Sequence, residues 1–439
     1  MKIKQFSQTS LNIVIIFVLF LSAHAEEIID QRSGQLSLST TDIILQAGPI
    51  NINVTRIFKN WKGEPGLLGS NWRLNWERHL YHIDQYVVVQ DATGAVVFSK
   101  DSTKTELKTT SGEQLIFDKN GNGIRSKPDD TKEIFDEKGR LIECDYLNGN
   151  KVLLHYGTDG RLSRIDGPRG SYLQFITDKS GKLTQIDTSS GNSIKYNYFK
   201  DTLAEVHING ESIVRYDYDN SGVLIGIDYP QTGPVHFIYD KKGRIINRSW
   251  ADGSKERFEY DDSTNRILHI DPTGAITSVL KSKDNRREEV TDPLGRKTVT
   301  VYDDNGRPLK ITDPAGSTTS LEYDTLGRIQ KITAPNGYVT LFEYLGKSKL
   351  TTALIGHDSF KRTFRYDNHM NLIEIKGGDR IITQMTYSPD GLLKTYKEEG
   401  GVKRSFEYYP SGYIKSITDI AGERTHFEYD RMGNIVRVV

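Results

Sequence analysis

The sequence predicts an all-β protein whose main part is a long, winding antiparallel sheet of repeated hairpins. Three observations lead to this prediction. A Tyr-Asp-x-x-Gly motif recurs about every 21 residues, as in "EYDTLGRIQKIT" at residues 322–333. Between the motifs apolar and polar residues alternate, which is the period of a β-strand. A second turn signal, such as "DPAG" at residues 313–316, divides each copy into two strands.

The composition of the 439-residue chain agrees with many short strands. Apolar residues make up only 36%, but the 23 tyrosines and 39 glycines together are typical of strands joined by tight turns. The 58 basic and 58 acidic residues balance, so the charge gives no indication of nucleic acid as a partner. Cys144 is the only cysteine, which excludes an internal disulfide.

Residues 1–25 have the features of a secretory signal peptide. Lys2 and Lys4 precede an unbroken apolar run at residues 13–21, and the small-x-small sequence that ends at Ala25 fits a cleavage site. The alternative is an uncleaved membrane anchor, but the run is shorter than the ~20 residues that a spanning helix needs. We therefore expect an exported protein, periplasmic, secreted or at the cell surface, with no membrane span after signal removal.

Residues 26–130 do not follow the repeat and are predicted to form a β-structured module that caps the first edge of the sheet. This module contains three of the four tryptophans, Trp61, Trp72 and Trp76, and an alternating strand pattern at residues 52–58. A functional alternative is that the three tryptophans form a platform on which sugar rings stack. The sequence therefore gives them two interpretations, cap or glycan-binding surface.

Residues 131–439 form the predicted repeat array of 15 copies. We term the motif aromatic, or the residue in its place, the marker residue of each copy. The markers are Phe135, Tyr156, Thr177, Tyr198, Tyr218, Tyr239, Tyr260, Lys281, Tyr302, Tyr323, Tyr344, Tyr366, Tyr387, Tyr408 and Tyr429. Their spacing is 21 nearly everywhere, but it is 20 before Tyr218 and 22 before Tyr366. Since one hairpin is not stable alone, neighbouring copies must extend one sheet of about 30 strands.

Each residue type in the motif has a physical role. The Asp can accept a hydrogen bond from the backbone two residues on, and the Gly closes the bend. An aspartate and an arginine, such as Asp324 and Arg328, stand at the same two places in many units, so we expect stacked units to align them as ladders of opposite charge. Each exposed pair would contribute only about 0–1 kcal/mol, and the charges would keep the rim of the sheet from pairing with other sheets.

The segment "DKNGNGIRSKPD" (residues 118–129) matches part of a calcium-binding loop. Asp118, Asn120, Asn122 and Asp129 stand at positions one, three, five and twelve, and oxygen ligands at alternate positions suit Ca²⁺. The segment lacks flanking amphipathic helices and the glutamate of position twelve. The alternative is an Asn-Gly-rich hairpin turn after the strand "EQLIF". Calcium is the only metal, and the only cofactor, for which the sequence gives a candidate site.

The sequence contains no catalytic constellation. His79 and His82 lack the third ligand that a zinc site needs. No Gly-x-Ser-x-Gly nucleophile motif occurs, and Cys144 has no base assigned to it by sequence. The aspartates of the motif are too regular to be one acid/base pair. We therefore predict that the protein is not an enzyme, and an enzyme with an unrecognised site is the weakest of the alternatives.

The repeat resembles the YD repeat of Rhs (rearrangement hot spot) proteins. The core of that repeat, Tyr-Asp-x-x-Gly-Arg-Leu, stands here as "YDTLGRI" at residues 323–329 and "FDEKGRL" at residues 135–141. The segments "GPININVTRIF" (residues 48–58) and "GLLGSNW" (residues 66–72) look like the module that opens Rhs proteins. Together these similarities cover about residues 33 to 439. The repeat match is specific because motif and phase agree many times.

The resemblance implies a sheet wound into a hollow shell, which in bacterial members often encloses a variable C-terminal toxin. Such members usually carry a closing, self-cleaving segment after the repeats, and this sequence ends inside a repeat at residues 429–439, without that segment. We therefore expect an open or partial shell. The predicted function is an exported scaffold that encloses or presents a cargo, a toxin or partner polypeptide in interbacterial competition. The alternative is a cell-surface module for carbohydrate binding or adhesion.

Overall fold

The computed structural model describes residues 26–30, 33–59, 65–99, 106–109, 112–146, 149–357 and 360–439. The predicted signal peptide lies outside the described residues. Within the described ranges the regular structure consists of forty strands and one short 3-10 turn at Pro168–Gly170. The predicted all-β fold is therefore confirmed.

The N-terminal module contains two small antiparallel sheets. The first has the order β1-β2-β3-β4, with β1 (Glu26–Ile29), β2 (Leu36–Ala47), β3 (Ile50–Phe58) and β4 (Trp72–Leu74). The second has the order β5-β6-β7, with β5 (His79–Ile83), β6 (Tyr86–Gln90) and β7 (Ala95–Ser99). In β2 and β3 alternate residues are buried, which gives this ribbon one apolar side.

The remaining strands form one long sheet in which each strand pairs antiparallel with the next. They are β8 (Glu106–Lys108), β9 (Gln114–Phe117), β10 (Gly123–Ser126), β11 (Lys132–Phe135), β12 (Leu141–Asp145), β13 (Lys151–Tyr156), β14 (Leu162–Asp166), β15 (Tyr172–Thr177), β16 (Leu183–Thr188), β17 (Ser193–Phe199), β18 (Thr202–Ile208), β19 (Glu211–Tyr218), β20 (Leu224–Tyr229), β21 (Gly233–Tyr239), β22 (Ile245–Trp250), β23 (Lys255–Asp261), β24 (Arg266–Ile270), β25 (Ile276–Lys281), β26 (Arg287–Thr291), β27 (Lys297–Tyr302), β28 (Pro308–Thr312), β29 (Thr318–Tyr323), β30 (Ile329–Thr333), β31 (Val339–Tyr344), β32 (Thr351–Ile355), β33 (Lys361–Tyr366), β34 (Leu372–Gly377), β35 (Arg380–Tyr387), β36 (Leu393–Glu398), β37 (Lys403–Tyr408), β38 (Ile414–Thr418), β39 (Arg424–Tyr429) and β40 (Ile435–Val438). Among the described strands, β8 pairs only with β9 and β40 only with β39, so the sheet is open.

The long sheet begins before the first copy of the period. Strands β8 to β10 precede residue 131, and β10 pairs with β11 in the same sheet. The turn between β9 and β10 has the same bonding pattern as the repeat's own turn, because the amide of Gly121 donates to the carbonyl of Asp118 as that of Gly139 donates to Asp136. A divergent copy without the Tyr-Asp signature therefore extends the sheet.

The motif turn is closed by its aspartate. In the copy at Asp324, Oδ1 accepts hydrogen bonds from the amides of Leu326 and Arg328, both at 2.9 Å, and Oδ2 accepts from Arg328 Nε at 2.7 Å. Gly327 takes the positive φ of 77° that ends the turn. The same pairs recur as Asp136–Arg140, Asp240–Arg244 and Asp303–Arg307. The motif aspartate and arginine therefore pair within one turn and do not form the expected ladder between units, although the Arg244 guanidinium also lies 2.7 Å from the Asp262 carboxylate in the next turn.

The ladder that does connect the units consists of tyrosines and arginines. In ten copies the marker hydroxyl donates to the carbonyl oxygen 15 residues earlier, at 2.5–2.9 Å; the donors are Tyr156, Tyr198, Tyr218, Tyr239, Tyr260, Tyr323, Tyr344, Tyr366, Tyr387 and Tyr408. The guanidinium of Arg328 lies 4.5 Å from the ring centre of Tyr344 in the next copy. Arg244 lies 4.2 Å from that of Tyr260. Each turn thus holds the aromatic ring that follows it.

Regular β-bulges bend the sheet. In thirteen of the fifteen copies the register between the marker strand and the next strand shifts immediately before the marker residue. A bulge kinks its strand and increases the local twist. The pairs β23–β24 and β25–β26 instead run with unbroken register. The 20-residue spacing before Tyr218 comes from the shorter turn after Tyr198, where Phe199 pairs with Thr202 and Lys200 takes a positive φ.

The sheet winds back on itself. The turns after the markers (Tyr-Asp turns) lie along one edge and the turns before the marker strands (return turns) lie along the other. The amide of Lys349, in a Tyr-Asp turn, donates to the carbonyl of Pro128, in a return turn 221 residues earlier, at 2.8 Å. Asn192 Nδ2 donates to the carbonyl of Arg431 at 2.7 Å, a separation of 239 residues. One winding therefore takes about eleven copies, and the second winding stacks on the first.

The N-terminal module packs against the first winding. One core cluster joins the module to the sheet as far as Ile245. The module also bonds to the Tyr-Asp turns, because the amide of Leu80 donates to the carbonyl of Gly139 at 2.8 Å, and Leu183 donates to Leu67 at 2.8 Å. The module thus covers a face and a rim of the sheet, and its role as a cap of the first edge stays a prediction.

Candidate functional site

One row of side chains runs along the face of the sheet that meets the module. We term it the apolar row; it contains the residue two positions before each marker, on the same face as the marker because side chains alternate in a strand. Its covered part is Leu154, Phe175, Tyr196, Tyr216 and Phe237. Its open part is Phe258, Val279, Thr300, Leu321, Phe342, Phe364, Met385, Phe406 and Phe427. The row gives the sheet one continuous, mostly apolar stripe.

The module buries the covered part of the row. The residues of the covered part belong to the core cluster, together with Trp72 and Phe58 of the module. The Trp72 ring centre lies 4.7 Å from that of Tyr216, and Trp72 Nε1 donates to the hydroxyl of Tyr218 at 2.9 Å. Burial raises the pKa of the Tyr218 and Tyr239 phenols above their ordinary range. This part of the row is therefore the inside of a packed core.

The open part of the row has no such cover within the described residues. The core cluster ends at Ile245, with Phe258 packed at its border. Beyond it, Leu321, Phe342 and Phe364 are only partly buried, although they occupy the same position in the repeat. On the face from β23 to β39 most residues of the row are therefore only partly buried, although Val279 is 3% and Phe406 is 7% exposed, and this line of mostly apolar side chains is the candidate site.

A buried ion pair fixes the module to the covered part. Arg56 Nε lies 2.7 Å from Asp42 Oδ2, and both side chains are fully buried. The hydroxyl of Tyr196 donates to the same carboxylate oxygen at 2.9 Å, and Arg56 donates to the hydroxyl of Tyr216. Burial would lower the pKa of Arg56, but the adjacent Asp42 outweighs it and raises that pKa. The module's two central strands are thus bonded to two residues of the row.

A second ionic cluster stands where the row begins. Glu133, two positions before the first marker, is buried and contacts Arg78, Arg125 and Lys127. Burial alone would raise the pKa of Glu133, but the three cations hold it below its ordinary value. Cys144 lies beside them, and burial raises the pKa of its thiol to about 11. A protonated, buried thiol is a poor nucleophile, so we assign this cluster a structural role.

The tryptophans predicted as a sugar platform do not share an exposed surface. Trp72 is 0% exposed and Trp76 is 4% exposed. Trp76 Nε1 donates to the carbonyl of Asn53 at 2.7 Å. Trp61 lies outside the described residues. Neither described indole offers a ring face to a ligand, so these two side chains give the glycan prediction no support, and it stays a prediction.

The structure separates the predicted calcium ligands. Asp118 Oδ1 accepts from the amides of Asn120 and Asn122, and Oδ2 accepts from Asn122 Nδ2 at 2.9 Å. Asn122 therefore stands where the repeat has its arginine. Strand β10 then separates this turn from Asp129, and its four residues span roughly 13 Å. The hairpin-turn alternative describes the local structure, and the calcium site stays a prediction without an assembled set of ligands.

The histidines and the charged side chains near them do not form a metal centre. His79 lies against Tyr81, with ring centres 4.4 Å apart, and His82 lies against Phe117 at 5.4 Å. In the part of the chain that the structure describes, no three His, Cys, Asp or Glu residues come together to hold a metal ion. No helix within those ranges is long and apolar enough to cross a membrane.

A large concavity of about 890 Å³ lies between the module and the Tyr-Asp turns. Its basic lining residues are already paired: Arg73 contacts Glu77 at 3.4 Å, and Lys182 contacts Asp201 at 2.7 Å. Burial raises the pKa of Glu77, whose carboxylate accepts the amides of the β4 segment. Arg73 and Lys182 are therefore already neutralised by ion pairs within the protein, and they give no indication of a ligand site in the concavity.

Sequence reasoning missed two features that matter here. The Asp42–Arg56 pair was not singled out, although Asp42 stands in an alternating strand whose buried positions are otherwise mostly apolar. The apolar row was visible in principle, because the position two before the marker is aromatic or aliphatic in most copies. The signal was present but was hidden behind the stronger Tyr-Asp motif.

Three family descriptions match successive parts of the chain. Residues 26–98 match a domain of unknown function (DUF6531), and residues 114–282 match the Teneurin YD-shell. Residues 283–318 and 302–339 match the RHS Repeat. The matches follow the chain from the module through both parts of the row.

Two curated proteins are similar over more than half of this chain. Double-stranded DNA deaminase toxin A of Burkholderia cenocepacia (strain H111) is 23% identical over 278 residues, which are 55% of this chain and 19% of that protein. Probable deoxyribonuclease RhsB of Dickeya dadantii (strain 3937) is 24% identical over 316 residues, which are 58% of this chain and 22% of that protein. The chain thus matches about a fifth of the length of each relative.

Solved structures of Tc toxins are also similar. The Photorhabdus luminescens Tc holotoxin pore matches with 12% identity and a TM-score of 0.38, over 92% of this chain and 27% of that chain. TcdB2–TccC3 without its hypervariable C-terminal region matches with 12% identity and a TM-score of 0.39, over 92% of this chain and 27% of that chain.

Proposed function

This chain is an Rhs-type YD-repeat protein, and from that premise we propose that it is a scaffold whose winding sheet partly encloses or presents a polypeptide cargo. The observation that carries the proposal is the open part of the apolar row. A partly exposed apolar stripe of this length is unusual on a protein that acts alone, since exposed apolar patches mark surfaces that meet a partner.

The winding supports a cargo inside the sheet. The module packs on the face that carries the apolar row, and its β2–β3 hairpin tip also meets the second winding, where the amide of Gly48 donates to the carbonyl of Ser411 at 3.1 Å. An element that contacts both windings and this face lies on the inner side of the sheet. The open part of the row therefore faces the interior, and an enclosed chain would meet it.

We further propose that the cargo is a toxin or partner polypeptide used in interbacterial competition. The names of the two relatives describe a DNA deaminase toxin and a probable deoxyribonuclease, and this chain matches 19% and 22% of their lengths. The motif's aspartates and arginines are committed to turns, which supports a structural and not an enzymatic role for the repeats. Export through residues 1–25 belongs to the same proposal, because such competition takes place outside the producing cell.

The experiment tests whether the open row binds an unfolded chain. Purified protein is mixed with fluorescently labelled, reduced and carboxymethylated α-lactalbumin as an apolar, unfolded probe, and binding is measured by anisotropy. In the variant Phe342→Asp a charge enters the row, and we expect affinity to fall at least tenfold.

The matched control is Leu341→Asp, which places the same charge on the opposite face of the same strand, where Leu341 is already 38% exposed. We expect the control to bind the probe as the unchanged protein does. Equal binding by all three proteins, or no binding by any, would contradict the proposed role of the row.

A second candidate function is carbohydrate binding by the module, and one observation favours it. Tyr81 and Tyr86 lie on one face of the β5–β6–β7 sheet and are 42% and 37% exposed. Aromatic faces that remain open to solvent can stack on sugar rings. A glycan array compares the unchanged protein with Tyr81→Ala and Tyr86→Ala. Tyr338→Ala is the control, because Tyr338 belongs to the repeats and is 53% exposed. Unchanged binding in all variants would remove this candidate.

A further inference from the structure

One segment of the sheet departs from the repeat in three independent ways. It runs from β23 to β28 and joins the covered part of the apolar row to the open part. The first departure is the register, because β23–β24 and β25–β26 are the two marker pairs without a bulge. Bulges supply bend and twist to the other copies, so the sheet is locally flatter and less strongly coiled here.

The second departure is the marker itself. Lys281 stands where the repeat has its tyrosine, so this copy lacks the hydroxyl that bonds the carbonyl 15 residues earlier. Its Nζ lies 3.3 Å from Glu288 Oε2 but is buried without a hydrogen-bond partner. The side chain therefore lies in an ion pair with Glu288 and supplies no hydrogen bond in place of the missing hydroxyl.

The third departure concerns contacts with other parts of the protein. Among the described residues, strands β24 to β28 lie beyond the contacts of the module and before those of the other winding. The contacts of the module end at Tyr260, whose hydroxyl lies against Gly34. Contacts between the windings resume at Leu326, whose carbonyl oxygen lies against Gly112. Strands β24 to β28 lie between these points, and their hydrogen bonds join neighbouring strands or close their own turns.

We propose that the segment β23–β28 is a hinge of the wound sheet, at which the strands open locally while the contacts of Lys349 with Pro128 and of Asn192 with Arg431 hold the open half on the first winding. The three departures act in the same direction: fewer bulges lower the coiling, the missing tyrosine removes one bond, and, among the described residues, the backbone hydrogen bonds of strands β24 to β28 do not reach the module or the other winding. Segments with few buried contacts open first in native proteins. Under the proposed function, the motion would let a polypeptide enter or leave the interior.

Amide hydrogen exchange on the full chain, read by mass spectrometry, tests the hinge without any cargo. We expect peptides from residues 262–300 to exchange at least tenfold faster than peptides from residues 318–344. The second region also belongs to the open half, but it keeps its bulges and its tyrosines Tyr323 and Tyr344. Equal exchange in the two regions would overturn the proposal and would leave the probe-binding test at Phe342 unaffected.

A repair variant sharpens the test. Lys281→Tyr restores the marker, and we expect exchange in residues 262–300 to slow at least threefold. Thr177→Tyr is the matched control, since Thr177 also replaces a tyrosine but its pair keeps the bulge and lies under the module. We expect less than a twofold change around residue 177. Lys281→Met removes the charge without adding a hydroxyl and should leave the exchange rate unchanged. No slowing in Lys281→Tyr, or equal slowing in the control, would contradict the hinge.

Discussion

The two halves of the repeat sheet have nearly the same motif but different surroundings. In the covered half, Phe237 is 3% exposed and belongs to a core that includes Trp72 of the module. In the open half, Phe342 occupies the same position in its copy and is only partly buried. The difference shows that the repeat specifies hairpins and turns by itself, whereas the apolar row is buried without interruption only where the module lies over it.

The comparison also separates two sources of stability. The bonds within a copy, from the aspartate to the turn amides and from the tyrosine to the earlier carbonyl, occur in both halves. The apolar contribution is concentrated in the covered half. We therefore expect mutations of the row to have unequal effects and mutations of the turns to have similar effects in the two halves.

The largest effect is expected where the module is bonded to the covered half. In Asp42→Ala, Arg56 keeps its charge in a fully buried position without its partner, and we expect a loss of about 3–5 kcal/mol in the free energy of unfolding. Urea denaturation followed by tryptophan fluorescence measures it. The double variant Asp42→Ala/Arg56→Met should recover part of the loss; a double variant less stable than the single one would contradict this account.

The next effect compares equivalent phenylalanines directly. Phe237→Ala removes a buried ring and should cost about 3–5 kcal/mol. Phe342→Ala removes a half-exposed ring and should cost about 1 kcal/mol. The measurement is the urea midpoint of each variant together with local hydrogen exchange, which reports the two halves separately. Equal costs would mean that the open half is covered in solution by something that the described residues do not include.

A smaller difference is expected for the tyrosine hydroxyls. Tyr239→Phe leaves the carbonyl of Leu224 without its partner in the core, and we expect a loss of about 1 kcal/mol. Tyr366→Phe frees the carbonyl of Thr351 in the open half, where water can replace the hydroxyl, so the loss should be about 0.5 kcal/mol or less. Thermal unfolding of the two variants checks the order.

The smallest effect on stability is expected when the pH is raised into the alkaline range. Burial raises the pKa of Tyr408 to about 12, above the ordinary value of about 10. Because the folded state holds this proton more tightly, its contribution to stability is full below about pH 10 and is lost as the pH rises toward 12. The fall in melting temperature between pH 9 and pH 11 should therefore be smaller in Tyr408→Phe than in the unchanged protein. An identical fall would show that this phenol does not participate.

Much of the fold could be predicted from the sequence because it is local and repeated. The marker residues fall at or next to the ends of the strands, and Gly327 and its equivalents take the positive φ that the motif implies. The Asp–Arg pairing was placed wrongly, since one copy gives no information on whether Arg328 reaches its own turn or the next one. That choice depends on the geometry of a five-residue turn, in which the guanidinium reaches its own aspartate first.

The site was harder to predict because it depends on contacts between distant residues. Tryptophan is large and amphipathic, so Trp72 and Trp76 fitted either a core or a platform until the fold placed them under the sheet. The burial of Arg56 depends on residues 14 and 160 positions away. The contact between Pro128 and Lys349 depends on the cumulative twist of the intervening strands. A local sequence pattern does not indicate the total twist.

The stacking of return turns on Tyr-Asp turns has a consequence for how such a chain can evolve. Arg169 donates to the carboxylate of Asp390 at 2.7 Å and to the carbonyl of Pro410 at 3.1 Å, 221 and 241 residues away. Duplicating or deleting a single unit between these positions would move every such acceptor out of phase with its donor. Gains and losses of units should therefore be tolerated near the ends of the array and selected against in its middle.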